Sequence, residues 1–141
     1  MKICIVCMAN YCRSPVVEKL IQKKYRENVD ASSAGIFPLA EASMDPRSRD
    51  FLNTLGIENL MHTPKKITKI IIEGSDLVLA LDLHVLMSLN QEFPSNMKKF
   101  KLLNYQNPSI NIPDPYRLSD DEYLDVMKRI DTIVSELDIN T

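Results

Sequence analysis

The 141-residue chain is predicted to fold as a parallel α/β sheet with helices on both faces. Three observations predict it. Four short runs, residues 2–6, 31–34, 77–81 and 100–103, are apolar or small apart from Lys2 and Lys101 and lack polar alternation, as strands covered on both faces do. Stripes of apolar residues at helical spacing lie between and after them. Strand and helix signals alternate along the chain, which is the order of a doubly wound sheet.

Residues 2–6 are almost wholly apolar and make a central strand. Pro15 follows early in a helix, where proline is tolerated because the first-turn amides have no intrahelical partner. Val16, Val17, Leu20, Ile21 and Tyr25 are that helix's inner stripe, which runs out near Asn28. The strand at 31–34, closed by Gly35, completes a βαβ unit of expected right-handed crossover. After a loop over 36–44, Asp45 is an N-cap before Pro46, Phe51, Leu52 and Leu55 are buried, and Gly56 is the stop. The Thr63-Pro64 turn leads to a short helix over 68–73, ended by Gly74. The strand at 77–81 is bounded by Asp76 and Asp82. Val85, Leu86 and Leu89 mark a helix over 83–93 that Pro94 terminates.

Residues 104–118, beyond the last strand at 100–103, have no periodicity and are dense in Asn and Pro. A loop of that length in a compact domain is usually functional. Ser119-Asp120-Asp121-Glu122 then forms a capping box, and Tyr123, Val126, Met127, Ile130, Val134 and Leu137 dock the final helix on the sheet. The pattern is that of a flavodoxin-like fold, whose ligands bind at the carboxyl ends of the strands.

Composition narrows the function classes. A net charge of −2 argues against an electrostatic footprint for nucleic acid or anionic membrane. No apolar run approaches the roughly 18 residues of a membrane span, and the Met1 end runs into a strand with no signal-peptide pattern. The expectation is one domain over 1–141, cytoplasmic and monomeric. Cys4, Cys7 and Cys12 are the only cysteines, in a spacing that is neither a disulfide framework nor a zinc pattern, so they belong to one place. Cys4 reads as a buried strand residue. His62 and His84 are assigned to surface or packing, the seven methionines to the core, and Lys98, Lys99 and Lys101 to a solvated face.

The chemistry concentrates in Cys7-Met8-Ala9-Asn10-Tyr11-Cys12-Arg13-Ser14. A loop between a strand end and a helix start points its backbone N–H groups at one spot, which suits phosphate. The same field favours the thiolate of a cysteine at its floor, and thiolate is the nucleophilic form. Arg13 offers a planar fork to two phosphoryl oxygens, Ser14 a hydroxyl to the sulfur, and Asn10 a side chain able to tie the loop together. The Cys-to-Arg spacing alone is a weak signal; its place between strand and helix strengthens it.

This stretch resembles the phosphate loop of the low-molecular-weight protein tyrosine phosphatases, V-C-x-G-N-x-C-R-S-P. Val6, Cys7, Asn10, Cys12, Arg13, Ser14 and Pro15 match, as do Ser33-Ala34-Gly35 and Asp114-Pro115-Tyr116 further on. Ala9 stands where the family has glycine, and a positive φ there would cost alanine about 1–2 kcal/mol. The resemblance implies strand order 2-1-3-4, Cys7 as nucleophile, Asp114 as general acid, and Cys12 as a reversible disulfide partner that protects Cys7. Asp114 lies between Pro113 and Pro115, on backbone stiff enough to aim it. Met8, Ala9, Tyr11, Leu39 and Tyr116 are the candidate substrate contacts, and no cofactor or metal is implied.

Leu39 and Arg117 are similar to bacterial members paired with the tyrosine kinases of exopolysaccharide export, so a kinase tail is an implied substrate. A phosphoarginine phosphatase has the same machinery, with threonine where this chain has Tyr11. An arsenate reductase of the same fold needs further redox cysteines, and none follows Cys12. A non-catalytic phosphopeptide-binding module is the remaining alternative.

Overall fold

A computed structural model describes residues 1–40 and 42–139. Glu41, within the expected 36–44 loop, and residues 140–141, at the end of the expected domain, lie outside the described residues. Four strands, β1 (Lys2–Cys7), β2 (Asp30–Gly35), β3 (Leu77–Ala80) and β4 (Phe100–Leu102), form one sheet of order β2-β1-β3-β4. All three pairings are parallel, which confirms the expected fold and strand order.

Side-chain alternation along β1 divides the core. Ile3, Ile5 and Cys7 face a layer of three helices, α1 (Ser14–Tyr25), α2 (Pro46–Thr54) and α5 (Asp120–Glu136). Cys4 and Val6 face the other layer, made by α3 (Lys69–Glu73) and α4 (Leu83–Glu92) through Ile72, Val85 and Leu89. Ile5, Val6, Val85 and Leu89 are all fully buried; each such side chain contributes about 1.5–3 kcal/mol relative to exposure.

The expected caps at Asp45 and Ser119 are observed, and Thr68 and Asp82 cap α3 and α4 in the same way. Asp45, Thr68, Asp82 and Ser119 each accept a hydrogen bond from the first turn of the helix they precede. In the Ser119 box, Glu122 accepts from the Ser119 hydroxyl instead of the backbone amide. Two connections the sequence did not signal are 3-10 turns, Arg26–Asn28 after α1 and Pro94–Lys99 after α4.

Two surface assignments need correction. Lys99 is not simply solvated: its Nζ donates to the carbonyls of Ile72, Glu73 and Ser75, which gives the end of α3 a cation. The methionines do not all enter the core, since Met1, Met61, Met87 and Met97 are exposed. An unbranched thioether carries no periodic signal of its own once it is off a helix's inner face.

Candidate active site

β1 delivers Cys7 to the carboxyl edge of the sheet, and the chain curls from there into α1. The curl is built by its carbonyls. Those of Cys7, Met8 and Ala9 accept from the amides of Ile36, Phe37 and Leu39, that of Tyr11 from Asp45, and that of Arg13 from Val16 and Val17. The Asn10 carbonyl accepts from His62 Nε2 at 2.7 Å and the Cys12 carbonyl from Ser48 Oγ at 2.7 Å. Among the described residues, by contrast, the amides of Met8 through Arg13 donate to no protein acceptor. With every carbonyl engaged outside and the amides left over, the loop is a nest for an anion.

Asn10 holds the nest closed. Its Nδ2 donates to Ser14 Oγ at 2.8 Å and Ser33 Oγ at 3.0 Å, and its Oδ1 accepts from the Lys65 amide. It also takes the left-handed conformation, φ 52°, which asparagine tolerates better than most residues. The only other non-glycine residue with positive φ among those described is Arg26. The strain anticipated for Ala9 therefore does not arise. Gly35 passes so close that a Cβ there would lie 2.9 Å from both Asn10 N and Met8 O, so the Ser33-Ala34-Gly35 segment has a steric reason for its glycine.

Ser14 Oγ lies 2.9 Å from Cys7 Sγ. Arg13 is 2% exposed, and its Nη1 donates to Asp82 Oδ2 at 2.7 Å and to the Ile112 carbonyl at 3.1 Å. Among the described residues its Nε and Nη2 have no partner, which leaves the edge of the fork that takes two oxygens. Cys12 is buried, with Sγ 3.9 Å from Asp45 Oδ2, and burial pushes its thiol up to about 12. Cys4 is buried in the opposite layer, its thiol pushed up by burial to about 11.

Cys7, Met8, Ala9, Tyr11, Cys12, Arg13, Leu39, Asp114 and Tyr116 line one cleft of about 110 Å³. Every candidate named from the sequence is thus in its wall except Asn10 and Ser14, which support it from beneath. Tyr11 and Tyr116 meet edge to face, with ring centroids 6.0 Å apart. Asp114 is exposed at the rim, and its Oδ1 accepts from the Tyr116 amide at 3.1 Å.

His62 and Asp82 were not recognised from the sequence as parts of this site. His62, assigned to surface or packing, braces the loop backbone. Asp82 was read only as a strand boundary, yet it both caps α4 and pairs with Arg13. Its place before an apolar helical stripe was a capping signal; nothing in its spacing linked it to Arg13. A wider, open hollow of about 710 Å³ beside α2 includes His62 and Arg49 but, among the described residues, no cysteine.

A family model described as low molecular weight phosphotyrosine protein phosphatase matches residues 2–139. The chain belongs to that family. The low molecular weight protein-tyrosine-phosphatase Ptp of Acinetobacter johnsonii is 32% identical to this phosphatase over 116 residues, covering 82% of this chain and 80% of its own. Among solved structures, Vibrio vulnificus Wzb in complex with benzylphosphonate matches with a TM-score of 0.87 at 27% identity, over 95% of this chain and 94% of its own. A YwlE arginine phosphatase mutant with a phosphorylated active site serine matches at TM-score 0.87 and 26% identity, over 95% and 91%.

Proposed function

We propose that this phosphatase hydrolyses phosphotyrosine in proteins through a phosphocysteine on Cys7. The observation that carries the reading is the nest of unpartnered amides closed over a thiol, with Arg13 and Asp114 in the same cleft. The Cys7 thiolate attacks phosphorus; the S–P bond forms as the P–O bond to the tyrosyl ring breaks. Asp114, entering protonated, gives its proton to the departing phenoxide. Water then attacks the phosphocysteine while the Asp114 carboxylate takes its proton. The S–P bond breaks, releasing inorganic phosphate and restoring the thiolate. Arg13 and the loop amides hold the equatorial oxygens through both steps, and the Ser14 hydroxyl donates to the sulfur. Positive charge comes from the chain itself, so neither step calls for a metal.

The aromatic pair Tyr11–Tyr116 supports an aryl ester over an alkyl one, because with Leu39 it lines the cleft and aromatic walls favour an aromatic partner. The reading extends to a tyrosine kinase of polysaccharide export as the bacterial substrate, supported by Leu39 and Arg117, and to a monomer working in the cytoplasm. A phosphoarginine substrate is the second reading, favoured by the likeness to the YwlE arginine phosphatase and opposed by Tyr11.

p-Nitrophenyl phosphate hydrolysis with chelator present tests the chemistry. The wild type turns over and Cys7→Ser does not; an inactive reduced wild type, or an active Cys7→Ser, overturns it. Paired phosphotyrosine and phosphoarginine peptides decide between the two substrates.

A further inference from the structure

The amino-terminal turn of α2 touches both halves of the site. On one side the Asp45 amide donates to the Tyr11 carbonyl at 3.1 Å, and its carboxylate receives the Cys12 thiol. On the other side stands Arg47. Its Nη2 donates to the Tyr116 carbonyl at 3.0 Å and its Nη1 to the Leu118 carbonyl at 3.1 Å. The guanidinium is oriented from behind by Asp45, whose Oδ1 accepts from Nε at 3.1 Å and whose Oδ2 accepts from Nη2 at 3.1 Å. Its carbon lies 4.0 Å from the centroid of the buried Tyr123 ring, and Asp120 Oδ1 is 3.7 Å from Nη1.

We propose that Arg47 is the positioning residue for the general acid: gripping Tyr116 and Leu118 by their carbonyls, it fixes the loop that presents Asp114 at a set distance from the Cys7 loop. This rests on the phosphocysteine reading above. The coupling runs through one residue. Tyr116 gives its carbonyl to Arg47 and its amide to the Asp114 carboxylate, so a shift of that peptide moves the acid with it. Among the described residues the acid loop has no strand partner, and Asp114 is exposed, so few other contacts hold the 114–118 segment. A planar fork suits the task, because its Nε and Nη2 edge is locked on both oxygens of Asp45 while Nη1 and Nη2 point on to the two carbonyls, a fixed direction that the point charge of an ammonium on a flexible stem does not impose. Because Asp45 also engages Tyr11 and Cys12, the same turn sets the spacing of acid and nucleophile.

An acid matters most where the leaving group is poor. The test compares kcat/KM for phenyl phosphate and 2,4-dinitrophenyl phosphate in wild type, Asp114→Asn, Arg47→Met and Arg47→Lys, with inhibition by inorganic phosphate as a check on the Cys7 loop. Misplacing the acid in Arg47→Met lowers the phenyl ester about 10-fold or more and the dinitrophenyl ester less than about 3-fold, with phosphate inhibition unchanged. Arg47→Lys falls between. A purely structural role would lower both esters alike or weaken phosphate inhibition, and either result overturns the proposal. Should Arg47→Met fail to fold, Arg47→Lys decides by the same ratio; a wild-type ratio there also overturns it. If Asp114→Asn shows the selective loss and Arg47→Met does not, only the positioning role fails. If the wild type hydrolyses neither ester, the phosphatase reading fails with it.

Discussion

The nucleophile loop and the acid loop face each other across one cleft but are built on opposite plans. Residues 7–14 are largely buried, with each carbonyl from Cys7 to Arg13 engaged and Asn10 bonded on three sides. Residues 104–118 cross the surface and are held mainly through side chains: Asn104 Nδ2 to the Ile110 carbonyl, Gln106 and Asn107 to Asp138 and Glu136, Arg129 Nη1 to the Asn111 carbonyl, Arg13 Nη1 to the Ile112 carbonyl, and Arg47. The difference follows from what each must do. Amides stabilise transferred charge only if they point before the substrate arrives. The acid, by contrast, is carried on an exposed segment and is held at its distance by side chains reaching in from other elements, Arg13 at Ile112 and Arg47 at Tyr116 and Leu118.

The strongest way to break this contrast is at Asp82, which holds Arg13 from outside the loop. Asp82→Asn keeps an oxygen to cap α4 but removes the charge that orients the guanidinium. We expect kcat/KM to fall about 100-fold, as for a misplaced catalytic group, with weaker inhibition by inorganic phosphate. Unchanged phosphate inhibition would show that the loop orients Arg13 unaided.

Gly35→Ala comes next. A methyl group 2.9 Å from Asn10 N and Met8 O forces the loop outward, and about 1–3 kcal/mol of stability should be lost, read by urea denaturation. Phosphate affinity should fall with it; a stable variant that binds phosphate normally would mean the loop yields easily, against the rigidity argued here.

Alkaline pH probes the buried acidic groups on both faces of the sheet. Cys4 and Cys12, at about 11 and about 12 when folded, lie above the ordinary thiol value of 9.0, and burial raises Tyr123 in the same direction. The unfolded chain therefore gives up these protons first, and stability falls as pH rises from about 9 towards about 12. The melting temperature should drop between pH 8 and pH 10, and Cys4→Ala should flatten the slope. An identical slope in that variant would remove Cys4 from the explanation.

The smallest effect belongs to the acid loop. Asn104→Ala deletes a part-buried hydrogen bond and should cost about 1 kcal/mol, with phosphate inhibition unaltered. A loss as large as that of Gly35→Ala would erase the contrast between the loops.

Much of this was legible in advance because it is local. A buried strand is a short apolar run, and a helix announces its cap, so Asp45 and Ser119 could be placed from neighbours alone. The Cys7–Ser14 motif is contiguous for the same reason. His62 and Asp82 were missed because their partners, Asn10 and Arg13, are 52 and 69 residues away in sequence, and neither residue repeats at any period. Ala9 misled for a related reason: a residue's φ is set by how the whole loop closes, and closure put the left-handed residue at Asn10.

By itself, then, the sequence determined the order of strands and helices, the capped helix starts and the placement of a thiol, an arginine and a carboxylic acid on loops at strand ends. These follow from the period of apolar residues and from side chains that satisfy their own backbone. Only the tertiary structure decided which distant residues brace those loops: Gly35 by leaving room, His62 by donating to a carbonyl, Asp82 by orienting Arg13 and Arg47 by gripping the acid loop. Such contacts depend on how the helix layers and loops meet at the carboxyl edge of the sheet, and packing of that kind has no signature in the spacing along a single chain.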